Sequence, residues 1–594
     1  MVTIKRTFDF LTNAEQNFPS DRALSVKRKG KWEKFSTAEY REQVDLFGLG
    51  LLKMGFKKGD KIATVSNNRP EWNFMDFGMS QIGCVHVSIY PTISRVEYEH
   101  ILAHSDARIL IVADVELWEN LAHFVDEIKS LEAIYTLDQV KGAKNWNEIL
   151  ALGRENREAL MDQLVKRRDE VEENDLLTLI YTSGTTGRSK GVMLTHKNVV
   201  TNVFMAQDCL TDLKPGDRAL SFLPLCHVLE RTGNYLWQSV GLEIYYAENI
   251  ETFFSDLQEV KAHAFITVPR VFEKVYDKII LKGREMEGMK KRIFFWAIQV
   301  GDRFDPDPKK RSLFYRIQLG LARKLVLDKW KEALGGELKN VISGGAALQP
   351  RLARIFWAAR IIVQEGYGLT ETSPVVSANM PRFPYVRFGS VGLVVKGVQV
   401  KIAEDGEVLV KGDNVMLGYY KDEEKTREAI DAEGWFHTGD IGELDEMNIL
   451  KITDRKKEIF KLSGGKYVAP QMVENVMKES MFIEQIMVLG ENRKFTSALI
   501  VPDFEYLHKW CFLHHVKYRD NQELVEKSRV IERYQQEVDL YNKQLDHVQR
   551  IKEFRLVFDT WSTDTGELSP TLKLKRKVIN SRYPKLIKDI YAED

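Results

Sequence analysis

Short apolar segments alternate with segments of helical periodicity in the N-terminal part of the chain, and this alternation constrains the fold most. Lys61–Ser66, Cys84–Tyr90 and Ala107–Ala113 have the length and composition of buried strands. Ala38–Gly55 and Trp72–Gly83, which precede the first two, place apolar residues at helical spacing. Strands that alternate with helices form βαβ units, so an α/β fold with parallel sheets is predicted. Later segments of the same kind are Ala219–Phe222, Ala264–Thr267 and Asn340–Ile342.

The pattern changes after Ser390, where short strand-like segments separated by turns indicate a β-rich subdomain. These segments are Val398–Ala403, Glu407–Lys411 and Ile441–Ile452. The charged stretch Asp454–Lys461 follows, and we interpret it as a linker or hinge. The predicted organisation is therefore a large N-terminal region (1–453) of several subdomains, a hinge (454–461) and a small, mobile α+β domain (462–594).

The C-terminal part contains four further predicted elements. Pro470–Lys478 reads as a helix, and Ile483–Gly490 and Ala498–Pro502 read as strands. A long polar region from about Phe504 to Lys552 is predicted to be helical.

Composition excludes several classes of protein. Of the 594 residues, 44% are hydrophobic and 29% are charged, which is globular and not disordered composition. The 86 basic and 86 acidic residues balance, which argues against a dedicated nucleic-acid-binding protein. No signal peptide and no apolar run of about 20 residues is visible, so a soluble, cytoplasmic protein is expected. No feature of the sequence indicates an oligomeric state.

The four cysteines are far apart and form no Cys-x-x-Cys pair. A disulfide framework or structural zinc site is therefore not expected, and a reducing compartment fits best. These residues are Cys84, Cys209, Cys226 and Cys511.

Leu176–His196 carries the strongest chemical signal: a loop rich in Ser, Thr and Gly lies between two apolar strands. Glycines let backbone N–H groups converge on an anion, hydroxyls add donors, and Lys190 adds a positive charge. The spacing is not that of a Walker loop, because Arg188 follows the last glycine of the loop. We interpret the segment as a phosphate-binding loop, whose other candidate residues are Thr182, Ser183, Gly184, Thr185, Thr186 and Gly187.

This loop resembles the phosphate loop of the adenylate-forming (AMP-binding) superfamily, and four further segments resemble the remaining motifs of that family in the correct order. They resemble, in turn, its adenine and magnesium motif, its ribose motif, its hinge and its C-terminal lysine motif. The segments are Gln364–Thr372, Gly434–Asp440, Asp454–Lys461 and Leu568–Arg576. The resemblance covers most of the chain, although Ser189 stands where the family usually has proline.

The resemblance implies ATP-dependent activation of a carboxylate, and the chemistry of the motifs fits it. A carboxylate that attacks the α-phosphate of ATP needs nearby cations and N–H donors, because both reactants are anionic. Lys190 would contact the β- and γ-phosphates, and Glu371 would bind Mg²⁺ together with Thr182. Thr370 is included among the catalytic candidates. The candidates around the adenine are Gly366, Tyr367 and Gly368.

The C-terminal half of the motif set supplies ribose contacts and the second half-reaction. Asp440 would accept hydrogen bonds from the ribose hydroxyls and Arg455 would donate to the same sugar. By analogy with the family, Lys573 contacts the carboxylate and the α-phosphate, with Lys575 as the alternate; a solvated charged face is the other interpretation. Rotation about the hinge would then admit coenzyme A. The candidates for that step are Lys461, Gly464 and Gly465.

Ser221–Thr232 resembles the acyl-side segment of long-chain fatty acyl-CoA synthetases. His227 would position the carboxylate or gate the acyl channel, and Gly345 would leave room for an alkyl chain. A long-chain fatty acid–CoA ligase that uses ATP, Mg²⁺ and coenzyme A is thus the leading hypothesis. The alternatives are a ligase for another acid or for a carrier-protein thiol, and a catalytically silent lipid-binding homologue.

Basic and aromatic residues interleave at helical spacing within Glu285–Glu332. This pattern suits the surface of an anionic bilayer, so peripheral membrane contact is one interpretation. A pair of amphipathic helices packed on the protein is the other. A peripheral position on the inner membrane surface is therefore compatible with a cytoplasmic protein.

Overall fold

The computed structural model describes residues 3–182, 188–249, 252–562, 565–568 and 574–592. The chain divides into two compact units. Unit one consists of Met1–Lys401, Leu409–His437 and Asp445–Leu450, and unit two of Ile402–Val408, Thr438–Leu444 and Lys451–Asp594. Most of unit two therefore follows Leu450 in the sequence.

Helices and strands alternate through the first part of unit one, as predicted. The helices are α1 (Asp9–Asn17), α2 (Thr37–Lys53), α3 (Pro70–Ser80), α4 (Arg95–Ser105), α5 (Val115–Leu121), α6 (Phe124–Glu127), α7 (Trp146–Glu155), α8 (Arg157–Glu170), α9 (His196–Gln207), α10 (Val228–Ser239), α11 (Phe253–Val260), α12 (Pro269–Glu285), α13 (Gly288–Asp302), α14 (Leu313–Ala322), α15 (Asp328–Ala333) and α16 (Pro350–Ala358). The strands are β1 (Leu24–Arg28), β2 (Lys31–Phe35), β3 (Lys61–Val65), β4 (Val85–Ile89), β5 (Ala107–Val112), β6 (Ala133–Thr136), β7 (Lys144–Asn145), β8 (Leu176–Thr182), β9 (Lys190–Thr195), β10 (Arg218–Ser221), β11 (Glu243–Tyr246), β12 (Ala264–Thr267), β13 (Asn340–Ser343), β14 (Val363–Gly368) and β15 (Val375–Ala378).

The next part is β-rich, as predicted, and the division between the two units falls inside several of its strands. Its one helix in the described residues is α17 (Glu423–Ala429). Its strands are β16 (Gly392–Val394), β17 (Gln399–Ile402), β18 (Glu407–Lys411), β19 (Gly418–Tyr419), β20 (Phe436–Leu444) and β21 (Ile449–Arg455).

One sheet of unit one has the strand order β19-β9-β8-β4-β3-β5-β6-β7. Its central pairs, from β8 through β6, are parallel, and the apolar runs of β3, β4 and β5 are buried almost throughout. Parallel strands covered on both faces require such continuous apolar runs, which is why these segments were recognisable in the sequence. At one edge of this sheet, β9 pairs antiparallel with β8 and forms a hairpin with it. The edge strand β19 in turn pairs antiparallel with β9.

The second sheet contains, within unit one, the order β16-β15-β14-β13-β12-β10-β11-β1-β2. The pairs between β14 and β11 are parallel, whereas β15 and β16 are antiparallel to their neighbours. The carboxyl ends of β8 and β14 carry the predicted phosphate and adenine motifs. The parallel strand pairs of both sheets, connected by helices, confirm the predicted α/β fold class with parallel sheets.

Local chemistry sets the helix boundaries. Ser36 precedes α2, where its hydroxyl accepts a hydrogen bond from the N–H of Glu39 at 3.1 Å, while the Glu39 carboxylate accepts one from the N–H of Ser36 at 2.7 Å. This reciprocal capping satisfies backbone donors that the first turn leaves unpaired. The predicted helix Ala38–Gly55 therefore begins one residue earlier, at Thr37.

The C-terminal part of unit two has its own core. A three-stranded sheet packs against helices in this core, and the buried side chains include Val473, Ile500 and Tyr534. Its strands are β22 (Phe460–Lys461), β23 (Tyr467–Val468), β24 (Ile483–Leu489), β25 (Ser497–Pro502) and β26 (Glu553–Leu556). Its helices are α18 (Pro470–Met477), α19 (Phe504–Leu513), α20 (Asn521–Glu526), α21 (Ser528–Asn542), α22 (Arg576–Arg582) and α23 (Pro584–Ile590).

The prediction of one long helical region from Phe504 to Lys552 was wrong in its extent. The segment forms the three helices α19 to α21, and residues 543–552 are not helical. Helix α19 ends at Leu513, and Asp520 starts α20, because its side chain accepts a hydrogen bond from the N–H of Glu523 at 2.8 Å.

All four cysteines are free and buried. Burial raises the pKa of the thiols of Cys84, Cys226 and Cys511 above the ordinary value, and that of Cys209 to about 12. The expectation of no disulfide framework is confirmed. Among the described helices, none combines the length and apolar character that a bilayer crossing requires.

Candidate active site

The β8–β9 hairpin of unit one carries the predicted phosphate loop. Thr182 ends β8 and is the register partner of Lys190, which begins β9. The two ends of the loop are thus held side by side by strand pairing. Five predicted loop residues lie outside the described residues: Ser183, Gly184, Thr185, Thr186 and Gly187.

Lys190 and Glu371 are linked through a tyrosine. The ammonium of Lys190 lies 4.5 Å from the centroid of the Tyr419 ring. The Tyr419 hydroxyl donates a hydrogen bond to Oε1 of Glu371 at 3.0 Å. Tyr419 reaches this position because β19 pairs with β9, so that it is the register partner of Val192. A cation, an aromatic face and a carboxylate are thereby assembled beside the end of the phosphate loop.

The segment that contains Glu371 turns sharply after β14. Thr370 and Glu371 lie in a 3-10 turn, and Tyr367, half-buried, lies at the end of β14. A Cβ atom at Gly368 would lie 1.9 Å from the carbonyl oxygen of Pro374, so only glycine fits there. A Cβ atom at Gly366 would meet nothing closer than 3.5 Å, so space does not require glycine at that position.

Histidines of helix α4 contact the chain at both ends of the phosphate loop. Nε2 of His100 lies 2.9 Å from the carbonyl oxygen of Ser189, and Nδ1 of His104 lies 2.8 Å from the hydroxyl of Tyr181. Burial lowers the pKa of His104, as does the neighbouring His100. Ser189 stands where the resemblance predicts proline, and the backbone there is held by a side chain instead of by a proline ring.

The predicted acyl-side residues lie near the end of the second sheet. His227 precedes α10, and its Nδ1 accepts a hydrogen bond from the N–H of Leu229 at 3.1 Å. An accepting Nδ1 places the proton of a neutral ring on Nε2. Gly345 follows β13 with φ +81°, a left-handed conformation, and a Cβ at the preceding Gly344 would lie 3.1 Å from the side chain of Leu229.

A buried ionic network connects the strand before the phosphate loop with the helix after His227. Asp76 pairs with Arg231, accepts a hydrogen bond from Tyr235 and lies 2.7 Å from Nδ1 of His86. Arg231, on α10, also donates to Thr178 of β8 at 2.6 Å. Burial favours the protonated carboxyl, but Arg231 and His86 overcome it and lower the pKa of Asp76. Removing one partner of such a pair is costly, because the remaining charge stays buried.

Two buried carboxyl groups lie near these elements. Glu230 is 1% exposed, and neither of its carboxyl oxygens has a hydrogen-bond partner among the described residues. Glu365, on β14, accepts one hydrogen bond from the N–H of Leu348 at 2.9 Å. Burial raises the pKa of both groups to about 8. Both carboxyl groups therefore retain their protons at neutral pH.

Unit two brings the two predicted ribose residues together. Asp440 lies on β20 and is 2% exposed, and its Oδ1 is 3.1 Å from Nε of Arg455 at the end of β21. The arginine orients the carboxyl group of Asp440, whose oxygens can act as hydrogen-bond acceptors.

The predicted hinge contains a buried acid. Asp454 is 1% exposed, and its carboxylate accepts hydrogen bonds from the N–H groups of Arg455 at 2.6 Å and Gln471 at 3.3 Å. Burial raises the pKa of Asp454 to about 7. Arg576, from the predicted C-terminal lysine motif, pairs with Glu458 of the hinge at 3.3 Å and with Glu474 at 2.8 Å.

The remaining predicted residues of unit two lie around a short hairpin and the last motif. Lys461 ends β22, with its ammonium 5.6 Å from the centroid of the Tyr467 ring. Gly464 and Gly465 form the turn to β23, and the φ of +84° at Gly465 favours glycine. Lys575 is exposed and immediately precedes α22. Lys573 lies outside the described residues.

The residues that join the motifs were not among the residues predicted from the sequence. Tyr419 lies in an unremarkable Gly-Tyr-Tyr segment, far in sequence from both of its partners. Asp76, His86 and Arg231 are single residues within helical or strand patterns. Only spatial pairing reveals them, although an arginine in an otherwise buried helix is a signal of a hidden partner.

Comparison with known proteins agrees with this geometry. The model of the AMP-binding enzyme family matches residues 11–420, and the model of the AMP-binding enzyme C-terminal domain matches residues 457–594. The long-chain-fatty-acid–CoA ligase FadD15 of Mycobacterium bovis is 34% identical over 95% of this chain and 93% of its own length. Fatty acyl-CoA synthetase A of Dictyostelium discoideum is 32% identical over 98% of this chain and 89% of its own length.

A solved structure supports the fold independently. The adenylation domain of a carboxylate reductase from Mycobacterium chelonae superposes with a TM-score of 0.75, at 21% identity, over 99% of this chain and 91% of that domain. The family models together cover most of the chain. The phosphate loop, the adenine motif and the C-terminal lysine motif lie within them, whereas Gly434–Asp440 and the first three residues of the hinge lie between them. The chain therefore belongs to the AMP-binding enzyme family.

Proposed function

We propose that the protein is a long-chain fatty acid–CoA ligase that forms AMP. A fatty acid carboxylate attacks the α-phosphate of ATP to give acyl-AMP and pyrophosphate. The thiol of coenzyme A then attacks the acyl carbon, releasing AMP and giving acyl-CoA. The observation that carries the proposal is full-length similarity to long-chain fatty acid–CoA ligases, together with the Lys190–Tyr419–Glu371 cluster at the phosphate loop.

In the first half-reaction, Lys190 offsets the charge of the β- and γ-phosphates. An ammonium fixed beside an aromatic ring needs little reorganisation when the negative charge shifts towards pyrophosphate. Thr182 and Glu371 would hold Mg²⁺, and oxygen donors of this kind suit that ion, which usually retains waters and phosphate oxygens as its other ligands. Bound Mg²⁺ would supply charge neutralisation at the phosphates. Thr370 completes the proposed catalytic set on this side.

The nucleotide is proposed to lie against the adenine and ribose residues. Tyr367, between Gly366 and Gly368, would present its ring to the adenine. Asp440, oriented by Arg455, would accept hydrogen bonds from the ribose hydroxyls. The buried position of Asp440 supports this role, because an acceptor that is already ordered loses little entropy on binding.

On the acyl side, His227 would contact the fatty acid carboxylate. Its proposed tautomer leaves an N–H on Nε2, which suits a carboxylate acceptor. Gly345, which has no side chain, would leave space for the first carbons of the alkyl chain. The loop residues Ser183 to Gly187 remain proposed phosphate donors.

For the second half-reaction we propose that residues 454–461 act as the hinge between 1–453 and 462–594. A hinge absorbs dihedral changes at a few residues that end regular elements, and β21 ends at Arg455. Gly464, Gly465 and Lys461 would line the path of coenzyme A, and Lys573 would act in adenylation. Lys575 is the alternate to Lys573.

The decisive experiment measures pyrophosphate release from the purified protein with ATP, Mg²⁺ and a panel of fatty acids of different lengths. Release should depend on a long-chain acid such as palmitate or oleate, and AMP release should require coenzyme A. A protein that releases no pyrophosphate with any acid would be the silent homologue. Equal turnover with a short or aromatic acid, or with only a carrier-protein thiol, would contradict the assignment.

We include peripheral membrane contact through Glu285–Glu332 in this proposal. A long-chain fatty acid partitions into bilayers, so an enzyme that contacts the bilayer meets its substrate at a high local concentration. The segment begins where α12 ends and contains α13, α14 and most of α15, and α13 packs on α14 and on α16. Part of the segment therefore packs on the protein, and the exposed remainder supports the proposal.

A further inference from the structure

Helix α14 exposes an apolar face to solvent. Leu313, Phe314, Ile317 and Leu321 are 76%, 70%, 56% and 50% exposed, and Leu325 in the following π-helical turn is 44% exposed. The spacing Leu313, Ile317 and Leu321 places these side chains on one side of the helix. We name these five side chains the α14 stripe. Contiguous exposed apolar side chains of this kind mark interaction sites.

The residues around the α14 stripe are strongly basic. Residues 309–324 contain six lysines and arginines and no acidic residue. The chain as a whole is neutral, so this excess of positive charge is local. An apolar face bordered by positive charge complements a bilayer that has an anionic surface. The basic residues are Lys309, Lys310, Arg311, Arg316, Arg323 and Lys324.

A cleft of about 470 Å³ lies beside this helix. Four arginines line it, together with the buried rings of Phe304 and Trp357, and its described lining contains no Asp or Glu. We name it the arginine cleft. Its arginines are Arg311, Arg323, Arg360 and Arg382. Since Arg311 and Arg323 flank α14 in the sequence, the cleft and the α14 stripe are neighbours.

The charges in the cleft are only partly compensated within the described residues. Nε of Arg311 is buried and has no hydrogen-bond partner, and its guanidinium lies 5.2 Å from the centroid of the Phe304 ring. Arg323 donates to the carbonyl oxygen of Ala358 at 2.7 Å, and burial followed by the charge of Arg360 lowers its pKa. Arg360 alone of these three pairs with an acid, Asp328, at 3.4 Å.

We propose that the arginine cleft binds the phosphate of an anionic glycerophospholipid while the α14 stripe inserts among the acyl chains of the same bilayer leaflet. Guanidinium groups bind phosphate through paired hydrogen bonds, and among the described residues an acid pairs with Arg360 but with none of the other three arginines of the cleft. Phe383, 47% exposed, extends the apolar surface at the cleft. This assignment rests on the proposed function, because it specifies the membrane contact of that enzyme.

Binding to vesicles tests the proposal on the full-length protein without ATP or fatty acid. Sedimentation with vesicles of phosphatidylcholine is compared with sedimentation with vesicles that also contain phosphatidylglycerol. Wild-type protein should prefer the anionic vesicles by about tenfold or more, because each basic residue near such a surface adds attraction. Leu313→Ser with Phe314→Ser should lower partitioning into both kinds of vesicle by about tenfold or more.

The matched controls separate the cleft from general attraction. Arg311→Gln with Arg382→Gln should abolish most of the preference for phosphatidylglycerol. Lys309→Gln with Lys310→Gln removes the same charge outside the cleft lining and should reduce that preference much less. Phe512→Ser with Leu513→Ser removes an equally exposed apolar pair from α19 and should change nothing.

Three outcomes would overturn the proposal. The first is equal binding of the wild-type protein to both kinds of vesicle. The second is unchanged vesicle binding by the variant with Leu313→Ser and Phe314→Ser. The third is an equal loss of the preference for phosphatidylglycerol in the double arginine variant and the double lysine variant. A thermal melt confirms that each variant is folded. Ligase activity on dissolved fatty acid, measured without vesicles, should persist in all of them. Its absence in wild type would contradict the proposed function and not the vesicle result.

Discussion

At the residue scale, Tyr419 shows how the site is held together by a group outside every motif. Its ring contacts the ammonium of Lys190 and its hydroxyl binds Glu371. The same side chain therefore contacts both a cation and an anion of the proposed site. Such an arrangement keeps both charges available for the nucleotide and its ion.

Replacing Tyr419 with Phe should lower kcat/KM for ATP in adenylation by about 10- to 100-fold. A hydrogen bond to a charged group contributes about 1.5–3 kcal/mol, and tenfold in rate corresponds to about 1.4 kcal/mol. The concentration of Mg²⁺ for half-maximal rate should also rise. Tyr420→Phe is the control, because that hydroxyl binds Asp106 instead, at 3.2 Å. Equal effects of the two changes would contradict the role of Tyr419.

Glu230 should make stability depend on pH. Its pKa is about 8 in the folded protein and ordinarily 4.5, so the folded state retains a proton that the unfolded state releases. The free energy of unfolding should therefore fall as the pH rises from about 4.5 to about 8, by at most about 1.4 kcal/mol per pH unit. Glu230→Gln removes this pH-dependent loss. The Tm of the variant relative to that of wild type should therefore increase as the pH rises across that window.

Thermal melts on both sides of the window measure this effect. Glu424→Gln, an exposed position on α17, serves as the control and should follow wild type at every pH. A Tm difference between Glu230→Gln and wild type that stays constant with pH would show that the carboxyl does not titrate in this range.

At the scale of elements, the turn after β14 requires glycine at Gly368 but not at Gly366. Gly368→Ala should lower the free energy of unfolding by about 1–3 kcal/mol or more, because its Cβ would overlap the Pro374 carbonyl. Gly366→Ala, two residues away, should change it little. Urea denaturation of both variants gives the comparison, and similar stabilities would contradict the steric argument.

Elements with strong periodicity were predictable, and those that depend on single capping residues were not. The parallel strands β3, β4 and β5 were recognisable because both of their faces are buried. The region from Phe504 to Lys552 contains neither Gly nor Pro, so it lacks the residue types that most often mark the end of a helix. Asp520 starts α20 through one side-chain hydrogen bond, but in so polar a region an Asp is as compatible with the surface of a continuous helix as with a cap.

The candidate site was predictable only where its residues lie in distinctive sequence motifs. Motif residues such as Lys190 and Asp440 could be named because their neighbours in the sequence are distinctive. Tyr419 could not, because its role arises from strand pairing between β19 and β9. Hydrogen-bonded partners that are distant in the sequence carry no local signal.

At the scale of the whole molecule, the C-terminal segment should fold alone. Two buried clusters, one from Leu462 to Leu556 and one from Met487 to Tyr591, lie entirely within residues 457–594. A fragment of these residues should show a cooperative urea transition monitored by circular dichroism. A non-cooperative transition would show that its core depends on other residues.

A shorter fragment, 484–594, provides the contrast. It lacks β22, β23 and α18, and with them the buried side chains of Leu462, Val468, Val473 and Met477. Burial of each such side chain contributes about 1.5–3 kcal/mol, so their joint loss is comparable to the whole stability of a domain. This fragment should therefore be largely unfolded.

The burial of all four thiols has a practical consequence for following motion in this protein. Because thiolates are the reactive form and burial disfavours them, the native cysteines should react slowly with maleimides. A cysteine introduced at an exposed position can then be labelled selectively without removing any native residue. One dye on each side of residues 454–461 would let single molecules report, turnover by turnover, whether the two half-reactions are separated by a rotation.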